Sequence, residues 1–192
     1  MKCRCLFLFC ILAFALHGCG GKAPAVKKTS LADSARFYPL KAYFQEQARH
    51  IAAGKPRAYL IRTKDGHKDS LPLSREALQA FFQILVDRAI PDTAQSRYRE
   101  SVFEDLGTAS ITINYSPLGN SQSSVQQEDI LLDQSTQQVK RVFIRSVYAI
   151  NDTLVREQCS WKAGTSFEIN LEKTWPDHSL HTELQSVHWP FE

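Results

Sequence analysis

Chemistry in this sequence would have to come from a cysteine, a C-terminal group of histidines, a mixed-charge run and a set of aromatic side chains. Cys159 lies in a stretch whose alternation groups Val155, Glu157, Cys159 and Trp161. A nucleophilic thiol needs a base or a cation beside it to hold the thiolate, and the sequence assigns none. A buried, inert cysteine is the expectation. His178, His181 and His188, with Asp177 and Glu183, crowd the last hairpin. Zinc would require three or four such ligands converging on one point, and His178, His181 and Glu183 are the residues that would have to supply them. On a strand His181 and Glu183 share a face while His188 falls on the other. With no helical His-x-x-x-His spacing and no paired cysteines, they read as polar residues of a turn and an edge, and no metal or cofactor is assigned.

Arg97, Arg99, Glu100, Glu104 and Asp105 form a mixed-charge run. Its arginine forks could recognise an anionic group; a solvated connector is the plainer expectation. Trp161, Trp175, Tyr148 and Tyr115 gather in the C-terminal half. They are either core or, where the covering of the sheet is incomplete, the lining of an apolar groove for a lipid or peptide. There is no glycine-rich phosphate loop and no Gly-x-Ser-x-Gly elbow.

These residues need elements to position them. Leu40, Tyr43, Phe44, Ala48 and Ile51 recur at helical steps, which predicts a helix over 39–53, with a start as early as Asp33 allowed. Gly54 can close it in the left-handed conformation, and Pro56 prevents its resumption. Ala58 to Thr63 and Asp69 to Leu73, joined through Asp65-Gly66, predict a hairpin. Pro72 cannot donate to a ladder, so the return strand belongs at an edge. Ser74 then caps a second helix, in which Leu78, Phe81, Phe82, Leu85, Val86 and Ala89 form one apolar stripe ended by Pro91. A polar connection over 92–108 leads to a series of alternating strands: 110–115, 126–133, 139–150, 153–162, 165–173 and 180–189. Phe81, Phe82, Leu85 and Val86 are expected to meet Ile111, Ile113, Phe167, Ile169 and Leu171. The fold class is therefore α+β. Two layers are predicted, with two helices packed on one face of a curved antiparallel meander sheet of about six to eight strands.

Composition narrows the function classes. The chain has 23 Lys and Arg against 20 Asp and Glu. Setting aside Lys2, Arg4, Lys22, Lys27 and Lys28 near the N-terminus leaves a body close to neutral. It has no basic block to track phosphates, so nucleic acid is not an expected partner. Of the five cysteines, Cys159 alone falls within this body, so the fold must stand on packing without an internal disulfide.

The N-terminus carries an address. Lys2 and Arg4 precede an apolar run from Leu6 to Leu16, the pattern of a secretory signal. The run falls short of the ~20 residues that span a bilayer. It ends in Leu16-His17-Gly18-Cys19, which resembles the lipobox of bacterial lipoproteins, with His17 where a small residue is usual. The resemblance implies cleavage after Gly18 and lipidation of Cys19, with residues 1–18 as signal. The small, polar and basic composition that follows reads as a flexible tether over 19–32, and the length of 33–192 suits one globular domain. Gly20 after the cysteine, rather than Asp, favours the outer membrane over retention at the inner one. The element order resembles small envelope lipoproteins of Gram-negative bacteria without described function. The similar stretches are 37–44, 97–105 and Ile130-Leu131-Leu132-Asp133, with Val139-Lys140-Arg141-Val142 after them. The expectation is a lipid-anchored, non-enzymatic binding or assembly module, its partners the membrane and an envelope protein or apolar ligand. The alternatives are a small periplasmic thiol- or His-dependent hydrolase and a toxin-immunity inhibitor.

Overall fold

The computed structural model describes residues 37–54, 57–119 and 123–189. The signal, the tether, Cys19 and the first residues of the expected domain lie outside these. Among the described residues no helix is long and apolar enough to cross a membrane.

The first helix, α1, spans Leu40–Ala53 and buries Leu40, Phe44 and Ile51, three positions of its stripe. Gly54 follows it in the right-handed region (φ −71°, ψ −9°), not the left-handed one expected. The helical path continues through Gly54, whose amide donates to the His50 carbonyl. Strands β1 (Ala58–Lys64) and β2 (His67–Leu73) form the hairpin. Its turn residues Asp65 and Gly66 both have positive φ, the geometry that matches strand twist in a two-residue turn. The second helix, α2, spans Arg75–Arg88; the Ser74 hydroxyl accepts the Ala77 amide at 3.2 Å, satisfying a donor of its first turn.

A short 3-10 helix, Asp92–Arg97, precedes β3 (Tyr98–Asp105). The remaining strands are β4 (Ser110–Pro117), β5 (Val125–Asp133), β6 (Val139–Ile150), β7 (Thr153–Lys162), β8 (Ser166–Thr174) and β9 (Leu180–His188). Among the described residues the strands form one antiparallel sheet of nine, in the order β2-β1-β9-β8-β7-β6-β5-β4-β3. Strands β3 to β9 run as a meander, and the β1–β2 hairpin adds to the β9 side, leaving β2, with its Pro72, at one edge. The expected six to eight strands are thus corrected to nine. The added strand is β3, which holds most of the mixed-charge run. Edge strands carry charges that discourage further pairing, so an edge strand reads like a solvated connector.

Alternation sets the core. Val102, Ile113, Ile130, Val142, Trp161, Phe167, Val187, Leu60 and Leu71 stand opposite one another from β3 across to β2. All are buried except the two on the edge strands. The helices reach this row. The Phe82 ring lies 5.6 Å from Trp161, 5.9 Å from Phe167 and 5.7 Å from Trp189, and Phe44 lies 5.7 Å from Trp161. Leu85 and Val86 share one buried cluster with Ile111, Ile113 and Ile169, while Phe81 and Leu171 are half-buried against it.

Candidate functional site

The same alternation that buries apolar side chains also buries two carboxylates. Glu157 lies on β7 between Val155 and Cys159 and is 3% exposed. Arg88, on the last turn of α2, grips it. Its Nε donates to one carboxylate oxygen and its Nη2 to the other at 2.9 Å. The Tyr148 hydroxyl donates to Glu157 Oε2 at 2.8 Å, and the Cys159 thiol contacts Oε1 at 3.5 Å. The Arg88 guanidinium also sits over the Tyr148 ring, 5.6 Å from its centre. Removing one partner of a buried pair like this leaves an uncompensated charge in the interior, which is costly.

This geometry disarms the thiol. Burial pushes the Cys159 pKa far up, and the neighbouring Glu157 charge adds to the rise, while Arg88 offsets only part of it. Tyr148 is pushed up to about 12, by burial first and then by its bond to Glu157. The Arg88 guanidinium is committed to the carboxylate, whose bond raises its own pKa. Native Cys159 is therefore expected to react slowly with a thiol reagent, read at its own peptide, and to reach full rate only on unfolding. Fast labelling in the folded protein would contradict this.

Glu128, on β5, is the second carboxylate, 1% exposed. It accepts the Ile90 amide at 2.9 Å, just past the end of α2. Burial raises its pKa to about 7, against smaller lowering by that amide and by Lys41. A folded pKa above the ordinary 4.5 means that the folded state holds the proton more tightly. The stability linked to this group is full below about 4.5 and is lost as pH rises through about 7. Glu128→Gln keeps an acceptor for Ile90 and removes the charge. Its denaturation midpoint should fall less than the parent's across that range; an equal fall would assign the dependence to other groups.

The aromatic groove candidates separate. Tyr115 (0% exposed) and Trp161 (1%) are core, so neither lines an open groove. Trp161 donates its indole N–H to the Tyr43 hydroxyl at 3.1 Å. Tyr115 stacks on Phe37 at 4.1 Å, donates to Glu100 at 2.7 Å and accepts the Tyr38 amide. Tyr148 belongs to the Glu157 cluster. Only Trp175 stands in the open, 48% exposed, in the β8–β9 turn. It lines a pocket of about 190 Å³ with Lys64, Lys173, His181 and Glu183 among its walls.

His181 contacts Asp65 at 3.5 Å and meets Trp175 edge-on at 5.9 Å; Glu183 accepts from the Gln185 amide. His178 occupies the turn itself, at φ 65°. Among the described residues no group of three or more His, Cys, Asp and Glu could hold a metal ion. Arg97 ends the 3-10 helix, Arg99 is exposed on β3, and Asp105 ties the following turn through Gly107 and Thr108. They do not converge on one anion site. Comparisons with family models, curated proteins and solved structures gave no match.

Sequence reasoning passed over Arg88, Glu128 and the two lysines of the pocket. Glu128 shares the parity of Ile130 and Leu132, and Arg88 lies three residues beyond Leu85 on the apolar stripe, so both inward placements had a signal. Nothing local marked the lysines, which come together only when β1 joins β9.

Proposed function

We propose that this chain is a lipid-anchored, non-enzymatic binding module of a bacterial cell envelope, held by Cys19 at the periplasmic face of the outer membrane. The anchoring rests on the basic head, the apolar run and Leu16-His17-Gly18-Cys19. The sealing of Cys159 against Glu157 carries the non-enzymatic reading over a thiol hydrolase, because a thiol held protonated and out of solvent is a poor nucleophile. The fold reads as two layers, α1 and α2 laid over one face of a curved sheet. Contacts of Phe44 and Phe82 with Trp161 support that reading. The polar remainder of the face, near β1, β8 and β9, is left to meet a ligand or an envelope protein.

Growth of expressing cells with an alkyne-bearing fatty acid tests the anchor. The parent protein should take up the label and Cys19→Ala should not. An unlabelled parent, or label retained in Cys19→Ala, would overturn the proposal.

A further inference from the structure

The pocket beside Trp175 is formed on the inner face of the sheet, beyond the reach of the aromatic core. Lys64 stands opposite Glu183, and Lys173 stands opposite His181. The Trp175 platform is held by its own turn. Its amide donates to the Ser179 carbonyl at 3.0 Å, its carbonyl accepts the His178 amide at 2.9 Å, and the Asp177 carboxylate accepts both the amide and the hydroxyl of Ser179. An exposed indole on a fixed turn offers a flat apolar surface at low ordering cost. Among the described residues the side chains of Lys64 and Lys173 have no hydrogen bond or ion pair. Glu183 and Asp65 add two carboxylates to the same walls.

These groups select among ligands. A purely apolar molecule would desolvate two ammonium groups without replacing their water. Inorganic phosphate would satisfy the lysines, but it brings more than one negative charge beside Glu183 and Asp65 and has no apolar face for the Trp175 indole. A singly charged ring bearing several hydroxyls uses every wall: carboxylate to the lysines, hydroxyls to Glu183 and Asp65, and its apolar C–H face to the indole. The volume, about 190 Å³, is below the roughly 300–1,000 Å³ of drug-sized sites and suits a single ring.

We propose that the Trp175 pocket binds an acidic monosaccharide unit, a six-membered sugar ring carrying one carboxylate. This rests on the binding-module reading and gives it a ligand class; the lipid at Cys19 plays no part in it. The test uses the full chain in detergent, with D-glucuronate, D-glucose and inorganic phosphate as probes and the indole N–H resonances as readout. Trp161 and Trp189 are buried, and Trp175→Phe identifies the resonance of Trp175. Glucuronate is expected to shift that resonance saturably, with glucose about tenfold weaker and phosphate without saturation, the order that charge-assisted bonds predict. Lys64→Gln combined with Lys173→Gln should bring glucuronate to the level of glucose, with the indole signals of Trp161 and Trp189 unmoved. No saturable shift with glucuronate, equal binding of glucose or phosphate, or an unchanged affinity in the double variant would each overturn the assignment. New glucuronate-derived signals alongside a saturable shift would keep the pocket and overturn the non-enzymatic reading.

Discussion

Phe82→Ala is expected to lower the melting temperature by roughly 10 °C or more, or to prevent folding. Phe82 is 2% exposed, and its ring meets Trp161, Phe167 and Trp189, each from a different strand or strand end. Truncating a buried Phe costs about 3–5 kcal/mol, because the transfer energy is lost and the cavity does not fully collapse. For a domain of this size, about 2–4 °C of melting temperature is lost per kcal/mol. The surrounding rings are large and mutually packed, with Trp161 and Trp189 at 5.4 Å, so little relaxation into the gap is available. Gln79→Ala on the exposed side of the same helix should stay within about 0.5 kcal/mol. Equal effects of the two substitutions, measured by thermal unfolding, would place α2 away from the sheet.

Arg88→Ala should be nearly as damaging, for a different reason. It leaves the Glu157 carboxylate, whose side chain is 2% exposed, with only Tyr148 and Cys159 as donors. Breaking a buried ion pair from one side typically costs about 3–5 kcal/mol. Since 33% of the Arg88 side chain meets solvent, water can replace part of the loss, and about 3 kcal/mol is expected. The reverse change is gentler. Glu157→Gln keeps an acceptor for Arg88 and Tyr148, and the freed guanidinium can turn to water. The double variant Arg88→Ala with Glu157→Leu removes both charges and should recover much of the loss. Urea unfolding of the set reads this order directly. A double variant no better than Arg88→Ala alone would show that Arg88 acts through packing of its stem and not through the pair.

Where structure follows from neighbours in the chain, it was legible. The α2 stripe, the Ser74 cap and the Asp65-Gly66 turn are short-range devices, and both turn residues adopt the positive φ their types favour. β3 was hidden because its inner-face Val102 lies at an open edge and its charges resemble a loop's. The docking of β1 on β9 was hidden because it joins segments more than a hundred residues apart. Trp161 and Trp175 differ in this respect within one residue type. Trp175 falls between the predicted strands 165–173 and 180–189, so its place in a turn was legible, whereas parity gave Trp161 a face without telling whether that face would be buried or left open as a groove. The candidate site was half readable: Cys159 and Glu157 were paired by alternation, while Arg88, which closes the cluster, arrives from another element.

Anchoring at Cys19 is the claim on which the envelope role depends, and the intact mass of the N-terminal peptide from protein purified out of membranes tests it most directly. The expected peptide begins at Cys19 and carries a diacylglycerol on sulfur and an acyl group on its amine. A peptide that retains Met1, or one that begins at an unmodified Cys19, would contradict the account.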